Sequence, residues 1–289
     1  MRKALSAAET THAAGAYTSG DVRIFYRLFQ GPGRTPMVIV HGLSFISYDW
    51  IGPASALAAD RPVAAMDMRG FGESGWSTDY SIPTVAADII GLLDHLGWDK
   101  AVLAGHSMGG RMCTYAAAQN PERVRALVLV DWSPVNAPEG SKRVSELVAG
   151  VPDRFAGVDE AMAYFGLDPD SPRGRAKRAR FEAYLKPVEG GFVIKRDTYY
   201  RDQFRRLLQT NEAPARGVDL WEALGRVSCP ILAVRGTRSD MFAAETRERM
   251  LTANPALRLV ELDTGHDVAG DDPEGLVREV RAFLDETGA

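Results

Sequence analysis

Two kinds of hydrophobic pattern alternate along the chain. Short, nearly continuous apolar runs stand at residues 36–42, at 62–75 where the run leaves through a glycine-rich turn, at 100–107 and at 124–134. Between them lie stretches with apolar positions at helical spacing, at 50–60, 81–98 and 108–121, the last closed by Pro121. Residues 229–235, 242–253, 257–262 and 272–286 repeat strand, helix, strand and helix. Residues 21–29 instead alternate apolar and polar positions, which predicts an antiparallel strand or half of a hairpin. Apolar runs without alternation are strands buried on both faces. Strands of that kind separated by helices make a mostly parallel central sheet flanked by helices, an α/β fold.

The rhythm breaks once. From about Ser133 to Arg216 helix patterns recur at 141–149, 158–165, 173–186 and 197–210, with Pro and Gly between them and no strand–helix unit. This segment is an expected helical insertion between two strands. The domain reading is a tail at 1–16 rich in Ala and Thr, a core at 17–134 and 216–289, and a helical cap at 135–215.

Composition changes this picture little. The 289 residues are 45% hydrophobic and 25% charged, with a formal net charge of −4. A chain of this size buries a core without metal or disulfide staples, and its charge argues against nucleic acid or an anionic membrane as partner. The two cysteines, Cys113 and Cys229, sit in apolar surroundings and are expected to be reduced and buried. No signal-peptide run and no stretch of about 18 apolar residues occurs, so the expected compartment is the cytoplasm. Neither a metal nor an organic cofactor is expected. Oligomeric state is not legible.

The candidate chemistry lies in Gly105-His106-Ser107-Met108-Gly109, at the junction of a strand and a helix. Strand, Gly-x-Ser-x-Gly, helix is the arrangement of a nucleophile elbow. Small residues permit a strained turn there that lifts the serine hydroxyl above the sheet edge. The Met108 N–H, at the helix start, faces the same point and is a candidate oxyanion donor.

A serine hydroxyl needs a base. Of five histidines, His12 lies in the tail, His95 on a helix, His106 on the serine's own turn and His41 on another loop. His266 remains, on the loop after the strand at 257–262, where open α/β sheets gather their chemistry. The base needs a carboxylate to orient it. Asp240, on the loop after 229–235, is favoured over Asp131, which ends the strand at 124–130, because it satisfies the order Ser…Asp…His and its loop can reach across. Asp263 and Asp267, beside the histidine, are expected at turns or on the surface.

With these residues in place, the chain resembles the α/β-hydrolase superfamily from about residue 20 to its end. The motifs are HGLS at 41–44, DMRGFGES at 67–74, GHSMGG at 105–110, RGTRSD at 235–240 and TGHD at 264–267. The resemblance implies that the backbone N–H of Leu43 is the second oxyanion donor, that His41 supports its loop, and that Arg69 and Ser74 brace neighbouring turns. The insertion resembles the family's cap. A serine nucleophile separates the chain from the haloalkane dehalogenases and epoxide hydrolases of this fold, which use aspartate.

The expected activity is therefore hydrolysis of an ester or lactone with an apolar or aryl group. The alternatives are hydrolysis of a carbon–carbon bond in a vinylogous diketo acid, a cofactor-free oxygenase, or a small-molecule receptor on the same scaffold. Trp50, Trp132 and Met241 follow motif loops and are candidate substrate contacts. The basic run Arg173, Arg175, Lys177, Arg178 and Arg180 reads as a solvated helix face.

Overall fold

The computed structural model describes residues 11–212 and 217–289. Eight strands form one sheet in the order β1-β2-β4-β3-β5-β6-β9-β10. They are β1 (Ala13–Ser19), β2 (Val22–Phe29), β3 (Met37–Val40), β4 (Val63–Met66), β5 (Ala101–His106), β6 (Val124–Val130), β9 (Ile231–Gly236) and β10 (Leu257–Leu262). β1 and β2 are antiparallel to each other and β2 to β4, whereas the strands from β4 across to β10 are parallel.

Each central strand divides its side chains between two cores, as a period of two requires. Val38, Val40, Leu103, Leu127 and Leu129 face one core. There they meet α2 (Ile82–Leu96) and α3 (Met108–Gln119), with α8 (Leu220–Arg226) and α9 (Ala244–Ala253) beyond. Met37, Ile39, Val102, Val128 and Val234 face the other. They pack on α1 (Ile51–Leu57), the short α10 (Val268–Asp271) and α11 (Pro273–Thr287). Burial on both faces explains why these strands carry no polar alternation. Each fully buried Val, Leu or Ile contributes roughly 1.5–3 kcal/mol.

The insertion between β6 and α8 contains α4 (Pro138–Ala149), α5 (Val158–Tyr164), α6 (Pro172–Tyr184) and α7 (Thr198–Thr210), as the spacing predicts. It also contains a hairpin absent from the sequence reading, β7 (Leu185–Val188) and β8 (Gly191–Ile194). The helix pattern over 173–186 ends at Tyr184, and the chain reverses through Gly190 and Gly191, both at positive φ. The tail reading needs a second correction. Residues 1–10 lie outside the described residues, but 13–16 belong to β1, which gains order through backbone pairing with β2 and through Tyr17, whose ring packs on the core.

The turns after β4 are braced from within. Arg69 makes a two-pronged ion pair with Asp88 of α2, both contacts 2.7 Å, and both side chains are almost wholly buried. Ser74 donates to the Asp67 carbonyl at 2.6 Å and accepts from the Phe25 N–H at 2.8 Å. Breaking a buried pair leaves an uncompensated charge. Asp88→Ala is therefore expected to lower the unfolding free energy by about 3–5 kcal/mol, measured by urea denaturation. A loss no larger than that of an exposed ion pair would contradict this.

Candidate active site

Ser107 has φ 51° and ψ −116°, a left-handed backbone rarely adopted by residues with a side chain. Such a conformation costs on the order of 1–3 kcal/mol and persists only where surroundings impose it. Here they do. The Ser107 N–H donates to the Val130 carbonyl at 3.0 Å, and its own carbonyl accepts from the Gly110 N–H at 3.0 Å. The elbow is also packed to backbone contact. A Cβ on Gly109 would stand 2.3 Å from the Val40 carbonyl oxygen, and one on Gly105 2.5 Å from that of Gly109.

Two other strand ends complete the arrangement. The loop after β10 carries His266, whose Nε2 lies 2.9 Å from the Ser107 Oγ. Its Nδ1 lies 2.6 Å from Asp131 Oδ2. A carboxylate accepts, so Nδ1 carries the proton toward Asp131 and Nε2 is left to accept from the serine hydroxyl.

Asp131 ends β6 at φ 45°, a conformation aspartate tolerates better than most residues. Its N–H donates to the Val234 carbonyl at 2.7 Å, Oδ1 accepts from the Gly236 N–H at 2.9 Å, and Oδ2 also accepts from the Ser239 hydroxyl. The residue is 1% exposed, and these donors satisfy its buried oxygens.

The preference for Asp240 is corrected by this geometry. Asp240 is turned to the cap, where Arg143 of α4 holds it by two contacts of 2.5 and 2.9 Å. That hydrogen-bonded pairing keeps the Asp240 carboxyl below the usual carboxylate range, against the opposing effect of partial burial. Of the flanking acids, Asp263 pairs with Arg238 on the surface, and Asp267 caps α10 and pairs with Lys177.

His106, set aside in the sequence reading, has a supporting part that its position on the serine's turn did not reveal. Its Nε2–H donates to the His266 carbonyl at 2.9 Å, and the two rings lie 4.9 Å apart. Burial, reinforced by the nearby His266, pushes the His106 pKa down to about 4. His41 is likewise lowered by burial; its Nδ1 donates to the Gly42 carbonyl at 2.8 Å and its Nε2 accepts from the Met68 N–H at 3.0 Å.

Above the serine lies a cavity of about 680 Å³ between sheet edge and cap. Ser107, His266, Leu43 and Met108 line it, and so do Trp132 and Met241. Among the described residues, neither the Leu43 nor the Met108 N–H has a backbone acceptor. Trp50 is the exception among the candidate contacts. It is 3% exposed and packs in the core behind His106, because the turn Ser47–Trp50 rotates it away from the cavity. The remaining wall mixes aromatic residues (Phe45, Tyr80, Phe165, Tyr199, Phe204) with Arg111, Arg143 and Arg173 and with Asp79 and Asp267. Among the described residues, no group of three or more His, Cys, Asp or Glu side chains converges to hold a metal ion, and no helix is long and apolar enough to cross a membrane.

The alpha/beta hydrolase fold, as a sequence family, matches residues 35–273. The chain belongs to this family. Relatives of this α/β-hydrolase include the 3-hydroxybutyrate-oligomer hydrolase of Cupriavidus necator, 33% identical over 88% of this chain and 90% of that protein. The 2-(acetamidomethylene)succinate hydrolase of Mesorhizobium japonicum is 30% identical over 86% of this chain and 87% of that protein. A crystal structure of E-2-(acetamidomethylene)succinate hydrolase superposes with a TM-score of 0.82 at 28% identity, covering 95% of this chain and all of the other. The protein is accordingly a hydrolase of the α/β family, with an eight-stranded, mostly parallel sheet flanked by helices.

The depressed pKa of His106 has a consequence for stability. Between about pH 6.5 and pH 4 the unfolded chain takes up this proton and the folded chain does not. The contribution is therefore whole above about 6.5, falls as pH drops through that window and levels near 4, a loss on the order of 3 kcal/mol. Urea unfolding followed from about pH 7.5 to 4.5 is expected to show this slope, and His106→Gln is expected to flatten it by one proton's worth. An unaltered slope in the variant would assign the effect to other groups.

Proposed function

We propose that this hydrolase cleaves carboxylic esters or lactones through an acyl-enzyme on Ser107. The observation that carries the reading is the unbroken chain Asp131–His266–Ser107, at 2.6 and 2.9 Å, opening into the cavity. Ser107 Oγ attacks the acyl carbon as His266 Nε2 takes its proton. Asp131 holds the imidazole in the required tautomer and stabilises its cation. The tetrahedral oxyanion is received by the Leu43 and Met108 N–H groups, each such donor being worth about 2.7–4 kcal/mol. His266 then protonates the departing alkoxide, and a water activated by the same imidazole releases the acid. The aromatic wall supports an apolar or aryl group on the substrate, of a size fitting about 680 Å³. The Cupriavidus relative, named for 3-hydroxybutyrate oligomers, supports an ester as the scissile group.

Two observations favour a second reading. Arg111, Arg143 and Arg173 are among the residues lining the cavity, beside Asp79 and Asp267 and with Arg143 paired to Asp240, and one relative is named as a hydrolase of a succinate derivative. Both suit a substrate that carries a carboxylate, as the diketo acids hydrolysed at a carbon–carbon bond do. A dienoate of that class, followed by loss of its absorbance, separates the two: turnover faster than that of neutral esters would favour carbon–carbon cleavage.

A fluorophosphonate probe is expected to label Ser107 and to leave Ser107→Ala unlabelled. Labelling elsewhere would remove the serine from the mechanism. Asp131→Asn is expected to lower kcat on a nitrophenyl ester by about 10⁴-fold, as loss of the correct histidine tautomer does, whereas Asp240→Asn is expected to lower it less than about tenfold, since it loosens only a partly exposed ion pair. The reverse order would return the acid's role to Asp240.

A further inference from the structure

We infer that Arg180 is a positioning residue that fixes the loop carrying the Leu43 amide. Its role depends on the serine-hydrolase reading above, because only that reading gives this amide a charge to receive.

Arg180 belongs to the cap, on α6, yet its guanidinium is directed down into the core. Nε donates to Asp49 Oδ1 at 2.8 Å, and Nη2 donates to the Ser44 carbonyl, one residue past Leu43. Asp49 in turn accepts from the Ile46 N–H at 2.9 Å. One side chain thus grips the loop at Ser44 directly and at Ile46 through Asp49. The guanidinium stacks over Tyr184 at 4.5 Å, over Phe181 at 5.0 Å and over Phe45 at 5.6 Å. These rings fix its plane, and the pair it forms is shielded, with side-chain exposures of 15% for Arg180 and 12% for Asp49. The planar fork suits this double engagement, which a lysine ammonium does not reproduce.

The loop's other hydrogen bonds are made within it or to the core. The Phe45 N–H donates to the Gly42 carbonyl at 3.2 Å, and the Ser47 N–H to Asp67 Oδ1 at 2.6 Å. Among the described residues, no core group hydrogen-bonds to Ser44; besides Arg180, it meets Arg196 of the cap at 3.4 Å through its hydroxyl. The Ser44 carbonyl shares a planar peptide with the Phe45 N–H, which donates to the Gly42 carbonyl, and that carbonyl shares a planar peptide with the Leu43 N–H; Arg180 thus acts on the Leu43 N–H through two peptide planes, alongside His41 Nδ1, which holds the same Gly42 carbonyl from the core. Arg180 does not line the cavity, so it does not touch substrate. Its effect runs through the direction of the Leu43 N–H.

The test uses Arg180→Lys, Arg180→Met and the double variant Arg180→Met/Asp49→Asn, which avoids leaving a buried unpaired carboxylate. Three quantities are measured on the full chain: kcat and KM for 4-nitrophenyl butyrate, Ki for a trifluoromethyl ketone of matching chain length, and Ki for the corresponding unreactive secondary alcohol. The ketone carbon accepts Ser107 Oγ, the proton passes to His266, and the carbonyl oxygen becomes the oxyanion that Leu43 and Met108 receive. The alcohol fills the cavity without forming that charge.

The expected result is a fall in kcat of about ten- to a hundredfold with KM within about threefold, as for a slightly misplaced donor. The ketone's Ki rises by a similar factor, the alcohol's does not, and the lysine variant lies nearest the wild type. Wild-type kcat in folded variants would overturn the assignment. So would a rise in the alcohol's Ki equal to the ketone's, which would mean a deformed cavity rather than a turned amide. Wild-type protein that is neither labelled at Ser107 nor inhibited by the ketone would overturn the hydrolase reading itself, a result seen before any Arg180 variant is made.

Discussion

The left-handed backbone at Ser107 constrains everything built around it. It is tolerable only while Gly105 and Gly109 touch backbone to backbone and while the Val40 carbonyl leaves no room beyond them. Those contacts require β3, β5 and β6 to end level with one another, which their parallel register provides, Val40 pairing with Gly105 and His106 with Val130. Level strand ends then bring three loops to one edge. Leu43 follows β3, Met108 follows β5 and Asp131 follows β6. The local cost, on the order of 1–3 kcal/mol, is small beside the burial of the strands that impose it. The geometry of the candidate site and the packing of the core are thus the same steric fact seen from two sides.

The fourth contributor arrives from farther away. β10 is the outermost parallel strand, separated from β5 by β6 and β9. Its loop must reach back across two strands, and it is tied at each step. Thr264 O accepts from the Arg238 N–H at 3.0 Å, Gly265 N–H donates to Asp271 at 2.9 Å, and His106 donates to the His266 carbonyl. A residue on the serine's own turn thereby holds the His266 main chain while Asp131 holds its side chain.

Most of the fold was legible because a parallel strand buried on both faces writes an uninterrupted apolar run, and the helices between write their own period. β1 was not legible, because the stretch Ala13–Ser19 is stabilised by pairing with β2 and shows little apolar signal. In the site, Ser107 and His266 could be read from context, and the structure brings them together. The acid could not be read in the same way. Asp131 and Asp240 both lie between Ser107 and His266 in the chain, so the order Ser…Asp…His does not discriminate between them. What discriminates is the positive φ of Asp131, which swings its carboxylate along the sheet edge toward β9 and His266. A glycine would have advertised that bend; an aspartate hides it.

The cap shows the same limit for charge. The cations of α6 looked solvated because their partners lie far away in sequence. In the fold, Arg173 faces Asp271, Lys177 faces Asp267 and Arg180 faces Asp49, a row at spacings of four and three that runs along one side of the helix. The row crosses from the loop of His266 to the loop of Leu43. Its strength is uneven. The pair at Arg173 is long and open to water and contributes little, whereas the pair at Arg180 is shielded and costly to break. The bidentate contact between Arg143 and Asp240 is partly exposed as well. The cap is therefore held at several places: by the shielded pair of α6 with the Leu43 loop, by the Ala137 and Gly140 N–H groups on the Met241 and Asp240 carbonyls at the start of α4, and by backbone hydrogen bonds of Lys195 and Asp197 with Gly72 and Gly70.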